Sequence, residues 1–254
     1  MEDAHLAVID KHSGTQICIF GVFDGHGGSE VAKFVKMNFM KTLREDKNYQ
    51  AGNFQKALED TFLNMDRRLL TPEGRKELTD IRREEGMEGS ESMAGCTANV
   101  SLIHNGTIWC ANSGDSRSIV YNATSNFPLS KDHKPDDPRE SDRIQKAGGF
   151  IVEGRVNGNL NLSRALGDLE YKREKSLKEE EQMITAFPDV TTYKIKSDDL
   201  FIVMGCDGIW ETMTEDQIGD FFRKNLNEST PISTTVGQFL DASLATDTTS
   251  TLLF

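Results

Sequence analysis

The feature that most constrains this chain is an apolar run that stops abruptly in an acid, a histidine and glycines, Phe20-Gly21-Val22-Phe23-Asp24-Gly25-His26-Gly27-Gly28. The residues leading into it, Thr15 to Phe23, are β-branched and aromatic in the manner of a buried strand, and from Ser29 onward the apolar spacing is helical. A carboxylate and an imidazole therefore sit where a strand stops. Asp-Gly is ordinary turn chemistry, but the same grammar returns in Leu200-Phe201-Ile202-Val203-Met204-Gly205-Cys206-Asp207-Gly208. Two strand-end Asp-Gly pairs can bring two carboxylates to one edge of a sheet structure. Hard divalent cations are held in that way, by oxygen ligands on rigid elements with positions left open for water and substrate.

A chain of 254 residues is long enough for one sizeable core, and no linker or internal repeat divides it, so a single domain over 1–254 is expected. With 41 acidic against 29 basic residues the net charge is −12, which argues against nucleic acid as a partner. Cys18, Cys96, Cys110 and Cys206 form no CxxC pair and lie in or beside apolar runs, as small buried side chains of a reducing compartment do. No apolar stretch approaches the ~20 residues that span a bilayer, and the expected setting is intracellular, cytoplasmic and/or nuclear. Met1 to His5 run straight into Leu6-Ala7-Val8-Ile9 without a polar leader, so a trimmed start or a missing upstream segment is expected.

Taken in order, the first strand and Thr15 to Phe23 predict a hairpin through Lys11 to Gly14. Val31, Val35, Phe39 and Leu43 predict one amphipathic helix, and Phe54, Leu58, Phe62, Met65 and Leu69 a second. Thr71 to Met93 reads as a mobile connection. Strands follow at Cys96 to His104, Thr107 to Asn112 and Ser116 to Tyr121, the first two joined by the hairpin signal Asn105-Gly106. The corner Asn112 to Arg117 places Asp115 either in a well-bonded turn or toward the same edge as Asp24 and Asp207. Asp137-Pro138-Arg139-Glu140 reads as a capped helix start. Strand-like pieces resume at Phe150 to Val152 and Asn159 to Leu162, and Tyr171 to Gln182 is so charged that it must be exposed. Val190 to Ile195 and Leu200 to Met204 predict a hairpin across Ser197 to Asp199, Thr214 to Gln217 a capping box, and Val236, Leu240 and Leu244 the stripe of a last helix. This order favours an α+β sandwich, strands in the middle and helices outside, over an alternating parallel fold. His5, His12, His104 and His133 show no zinc-like spacing and read as structural or surface residues.

Nine segments together resemble the type 2C, metal-dependent (PPM) protein serine/threonine phosphatases in order and approximate spacing: Met1 to His5, Val22 to Gly28, Gly95 to Ala98, Gly114 to Arg117, Asp132 to Pro135, Gly148-Gly149, Arg155 to Gly158, Leu162 to Asp168 and Cys206 to Trp210. The resemblance implies a central β-sandwich of two antiparallel sheets flanked by α-helices, a four-layer αββα fold with a flap near 155–190. It also implies two Mg²⁺ or Mn²⁺ ions, Asp24 bridging both, the Gly25 carbonyl and Glu2 on one, Asp207 on the other, and Asp115 with Asp207 on a weaker third. Two cations about 4 Å apart activate a water and clamp the phosphoryl oxygens during in-line attack, without a phosphoenzyme. His26 would protonate the departing seryl or threonyl oxygen. Arg164 matches the strands that lead into the flap and is a candidate substrate-binding residue.

Two departures accompany the likeness. The family's phosphate-binding arginine, a few residues before the position of Glu2, has no counterpart here. The family's Asp-Asn-Met-Thr is replaced by Asp247-Thr248-Thr249-Ser250, directly before Thr251-Leu252-Leu253-Phe254, as though a segment were missing between Ser250 and Thr251; otherwise Asp247 is the substitute ligand to consider. The expected function is hydrolysis of phosphoserine and phosphothreonine in proteins by a monomer, with phosphorylated proteins as partners. The alternative is a catalytically weak relative that serves as a regulatory binding module.

Overall fold

The computed structural model describes residues 1–86 and 92–246. The chain opens with a hairpin of β1 (Ala4–His12) and β2 (Thr15–Phe23), followed by the short β3 (Gly25–His26). Four helices come next, α1 (Glu30–Glu45), α2 (Lys47–Gln50), α3 (Phe54–Leu69) and α4 (Pro72–Glu84). A run of strands follows, β4 (Gly95–Cys96), β5 (Ala98–His104), β6 (Thr107–Ser113), β7 (Arg117–Asn122) and β8 (Asn126–Pro128). After α5 (Pro138–Lys146) come β9 (Ile151–Val152), β10 (Arg155–Val156), β11 (Leu166–Gly167) and two 3-10 turns. The described chain closes with β12 (Asp189–Lys194), β13 (Asp199–Gly205), α6 (Asp207–Thr212), α7 (Glu215–Asn225) and α8 (Ile232–Thr246).

Strand alternation builds the layers. A five-stranded antiparallel sheet runs β1-β2-β5-β6-β12, and a three-stranded one runs β13-β7-β8. On β6 and β12, Ile108, Cys110 and Tyr193 meet Val120 of β7 and Leu129, forming the core between the sheets. The other face of the large sheet, with Ile17, Ile19, Val100 and Leu102, packs on Val35, Phe39, Leu58 and Phe62 of α1 and α3. On β7, Ile119 and Tyr121 point the opposite way from Val120 and pack on Ile218, Phe222 and Phe239 of α7 and α8. A period of two along each strand thus yields helix, sheet, sheet and helix layers, the α+β sandwich expected from the sequence. Asn105 and Gly106 both take positive φ (46° and 67°), as a two-residue hairpin requires.

Several local expectations are corrected. Thr71 to Met93 is not a loose connection: Thr71 Oγ1 accepts from Gly74 N and Pro72 occupies the first turn, so 13 residues of it form α4. Met87 to Glu91 of the same stretch lie outside the described residues. β12 and β13 do not pair with each other. β12 adds to β6 and β13 to β7, so their connection crosses from one sheet to the other. Asn159 to Leu162 makes only a bridge, through Leu160 to Val156. In α8 the buried stripe is Thr235, Phe239 and Ser243, while Val236 and Leu244 are exposed. Glu140 does not cap α5; it is buried and bonded to Ser163, Arg143 and Arg164.

Candidate metal centre and active site

The register of the strands brings separate turns to one end of the sandwich. Ala4 pairs with Phe23, Asn99 with both Val22 and Asn112, and Arg117 with Gly205. Asp24 therefore leaves β2, Asp115 lies in the turn between β6 and β7, and Asp207 opens α6 just beyond β13, all at the same edge. One carboxylate oxygen from each of the three lies within 4.8 Å of the other two. Asp115, read as either a plain turn or an acid facing this edge, takes the second option while being 2% exposed. The Asp24 backbone is clamped on both sides, its carbonyl accepting from Thr97 N at 2.8 Å and its N–H donating to Thr97 Oγ1 at 3.2 Å. Thr97 is in turn 2.7 Å from Ser116 Oγ.

Packing like charges in a half-buried pocket raises their proton affinity. Burial, then Asp3, then Asp207 and Asp115 push Asp24 up to about 8. Burial, Asp115 and Glu211 push Asp207 up to about 6, against the opposing pull of Lys134. Lys134 Nζ bonds Asp115, so one lysine reaches the edge of the cluster. Three convergent carboxylates with too little positive charge to satisfy them form an all-oxygen donor set, and that chemistry fits a hard divalent cation.

His26 stands beside this cluster on β3. Its Nε2 lies 2.7 Å from Oδ2 of Asp168, a carboxylate whose side chain is 3% exposed and whose backbone takes φ +47°. The pair closes over Gly95, where any Cβ would collide with both Asp168 and His26. His26 Nδ1 has no hydrogen bond among the described residues, and the side chain is 27% exposed.

The other residues expected here divide. Gly25 sits beneath the chain start, where a Cβ would strike the Glu2 backbone carbonyl; Glu2 itself is exposed, and its carboxylate is outside the three-membered cluster. The acid that presses on Asp24 is the next residue, Asp3, which sequence reasoning passed over because it precedes the first strand and carries no pattern of its own. Asp168 was likewise visible only as part of a motif. Arg164 carries no substrate-facing surface: it is 1% exposed, and its guanidinium donates to Glu140, the Phe187 carbonyl and Asp189. Asp247 lies outside the described residues.

Oxygen donors gathered at a sheet edge next to an acid-oriented histidine are the equipment of a metal-dependent hydrolase. Comparison with known proteins narrows the class. A family profile described as Protein phosphatase 2C matches residues 1–251. "Probable protein phosphatase 2C 4" of Paramecium tetraurelia is 47% identical over 254 residues, covering 98% of this chain and 83% of the relative. "Protein phosphatase 2C 1" of the same organism is 52% identical over 218 residues, covering 86% and 71%. A solved phosphatase from Toxoplasma gondii shares the fold, with a TM-score of 0.76 at 24% identity over 97% of this chain and 84% of that one. The chain belongs to the protein phosphatase 2C family and is, by that membership, a metal-dependent serine/threonine protein phosphatase. Among the described residues no helix is long and apolar enough to cross a membrane.

Proposed function

We propose that this chain hydrolyses phosphoserine and phosphothreonine in proteins by direct attack of water at two divalent cations, Mg²⁺ or Mn²⁺. The observation that carries the reading is the convergence of Asp24, Asp115 and Asp207 within 4.8 Å, with Asp24 held up at about 8. Asp24 would bridge the ions, with Asp3, Glu2 and the Gly25 carbonyl toward one and Asp207 toward the other; Asp115 with Asp207 would serve a weaker third. Bound there, the cations supply Lewis-acid activation of water and neutralise charge on the phosphoryl group.

The chain's own groups do the rest. His26, with Nε2 bonded to Asp168, presents Nδ1 as the position from which a proton reaches the seryl or threonyl oxygen as it leaves. An alkoxide is a poor leaving group, so this transfer matters most for peptide substrates. A covalent cysteine route is disfavoured: burial, then Asp24 and Asp3, push the Cys206 thiol up to about 12, leaving almost no thiolate near neutral pH. Every group invoked comes from one chain, so a monomer suffices.

The test is phosphate release from a phosphothreonine peptide with Mn²⁺ or Mg²⁺, repeated with excess chelator and with Asp24→Asn. Release that chelator stops and the variant lacks is the expected result. Release that neither affects would overturn the site assignment, and no release from folded protein would favour the weak, binding-only relative.

A further inference from the structure

We propose that a basic cavity between α4 and the segment after Asp168 docks an anionic side chain of the phosphoprotein, a few residues from the phosphoresidue being hydrolysed. The proposal rests on the phosphatase reading above. The cavity, of about 490 Å³, is lined by Arg75, Arg82, Lys172 and Arg173 together with the apolar Leu78 and Leu169. Four cations around one hollow are unusual in a chain of net charge −12.

Two of the four hold the walls together. Arg82 pairs with buried Glu30 at 2.8 Å, and Lys172 bonds Asp66 at 2.5 Å and the Ala165 carbonyl at 2.7 Å. Among the described residues the guanidinium groups of the other two have no partner of their own. Among the described residues, ten arginines are in ion pairs, namely 44, 67, 68, 82, 83, 117, 139, 143, 164 and 223. Arg155 donates to the Asn159 carbonyl. Among the described residues only the guanidinium groups of Arg75 and Arg173 make neither kind of bond, and both line this cavity. A guanidinium fork suits a carboxylate or a phosphate equally well, and the leucines accommodate the aliphatic stem that carries such a group.

The cavity is joined to the catalytic end through the backbone. Leu169 directly follows Asp168, the residue bonded to His26, and Asp168 N donates to the carbonyl of Ala94, two residues beyond Ser92, which also lines the cavity. An extended peptide advances about 3.3–3.6 Å per residue, so the flanking position that reaches the cavity is found by moving the acidic residue along the peptide.

The experiment uses fluorescently labelled phosphothreonine peptides that differ at one flanking position, alanine against glutamate or a hydrolysis-resistant phosphonate. Binding is read by anisotropy and turnover by kcat/KM with Mn²⁺, using the intact chain and the pair Arg75→Glu, Arg173→Glu, with Arg75→Ala, Arg173→Ala as a milder second variant. The wild type should bind the acidic peptides about tenfold more tightly, as expected of one charge-assisted contact at a part-exposed site. Both variants should lose that preference, mainly through KM, without changing turnover of the alanine peptide or of an aryl phosphate. A larger effect of the phosphonate than of glutamate would identify a second phosphate as the natural anion, and the reverse would identify a carboxylate. Equal binding of acidic and alanine peptides by the wild type, or equal loss of both in the variants, would overturn the proposal. Flank-dependent binding without turnover of any peptide would instead remove the catalytic reading and leave the pocket standing.

Discussion

Two clusters of acids in this molecule face opposite electrostatic conditions. Glu140 is raised by burial but brought down to about 2 by Arg164 and Arg143, which bond both its oxygens. Asp189, held by His133, Arg164 and Arg139, is also lowered despite burial. At the other cluster, Asp24 and Asp207 are pushed up, to about 8 and about 6, by burial and by neighbouring acids. The chain could have placed arginines around both. It completes the charge balance of the first with its own side chains, which makes that cluster structural, and leaves the second to be balanced by something bound.

Substitutions should separate the two. The largest effect belongs to Asp24→Asn, which should lower metal-dependent turnover about 10³-fold or more, as expected from several kcal/mol of lost charge stabilisation, while the fold persists. Circular dichroism beside a phosphate-release assay checks this, and retained turnover would break the comparison. Glu140→Gln should do the converse. Arg164 keeps Asp189 and the Phe187 carbonyl but loses the buried charge that it shares with Arg143; this costs about 3 kcal/mol, a melting-temperature drop of about 10 °C in a chain of this size, with turnover per folded molecule little changed. A melt no lower than wild type would mean that the network is not structural.

His26→Ala sharpens the picture inside the active cluster. A phosphopeptide should lose about 10²-fold in kcat, while an aryl phosphate, whose leaving group needs no proton, should lose far less. Asp168→Asn should show the same substrate dependence at about tenfold, the lower range for a partner that orients a functional group. Equal losses on both substrates would remove the proton-donor role.

The smallest effect is on pH. Asp24 and Asp207 have native values above the ordinary 3.8, so between about 4 and about 8 the cation-free native state binds more protons than the unfolded chain. Its stability should therefore fall as pH rises through that window. Glu140 has the opposite sign: its contribution is present above the ordinary 4.5 and lost as pH falls toward about 2. Thermal melts of chelator-treated protein across pH 4 to 8 should decline, and Asp24→Asn should flatten the decline. An unchanged slope would mean that the repulsion at the cluster is relieved within the protein.

Much of this was legible in the sequence. Asp24 and Asp207 each end an apolar run with glycine behind them, a pattern local enough to read, and the stripes of α1 and α3 are strictly periodic. The unreadable parts depend on partners distant in sequence. Asp168 becomes a partner of His26 only through the pairing of β11 and β3 with β4. Glu140 had the local signature of a cap, but a buried arginine 24 residues away outcompetes a solvated backbone N–H for it. β12 and β13 looked like a hairpin because both are apolar and close in sequence, yet each pairs with a strand of a different sheet. The helix α4 was missed for a different reason: Thr71-Pro72 is a readable start, but its apolar face is thin, with only Gly74 and Ile81 buried.

The most direct test of the central claim is calorimetric titration of the chelator-stripped chain with Mn²⁺ at pH 7, in two buffers of different ionisation enthalpy. Saturable binding with net proton release, lost in Asp24→Asn and kept in Glu140→Gln, is the predicted result, because the cation displaces the proton that Asp24 holds at about 8. Absence of saturable binding, or binding unchanged by Asp24→Asn, would contradict the account.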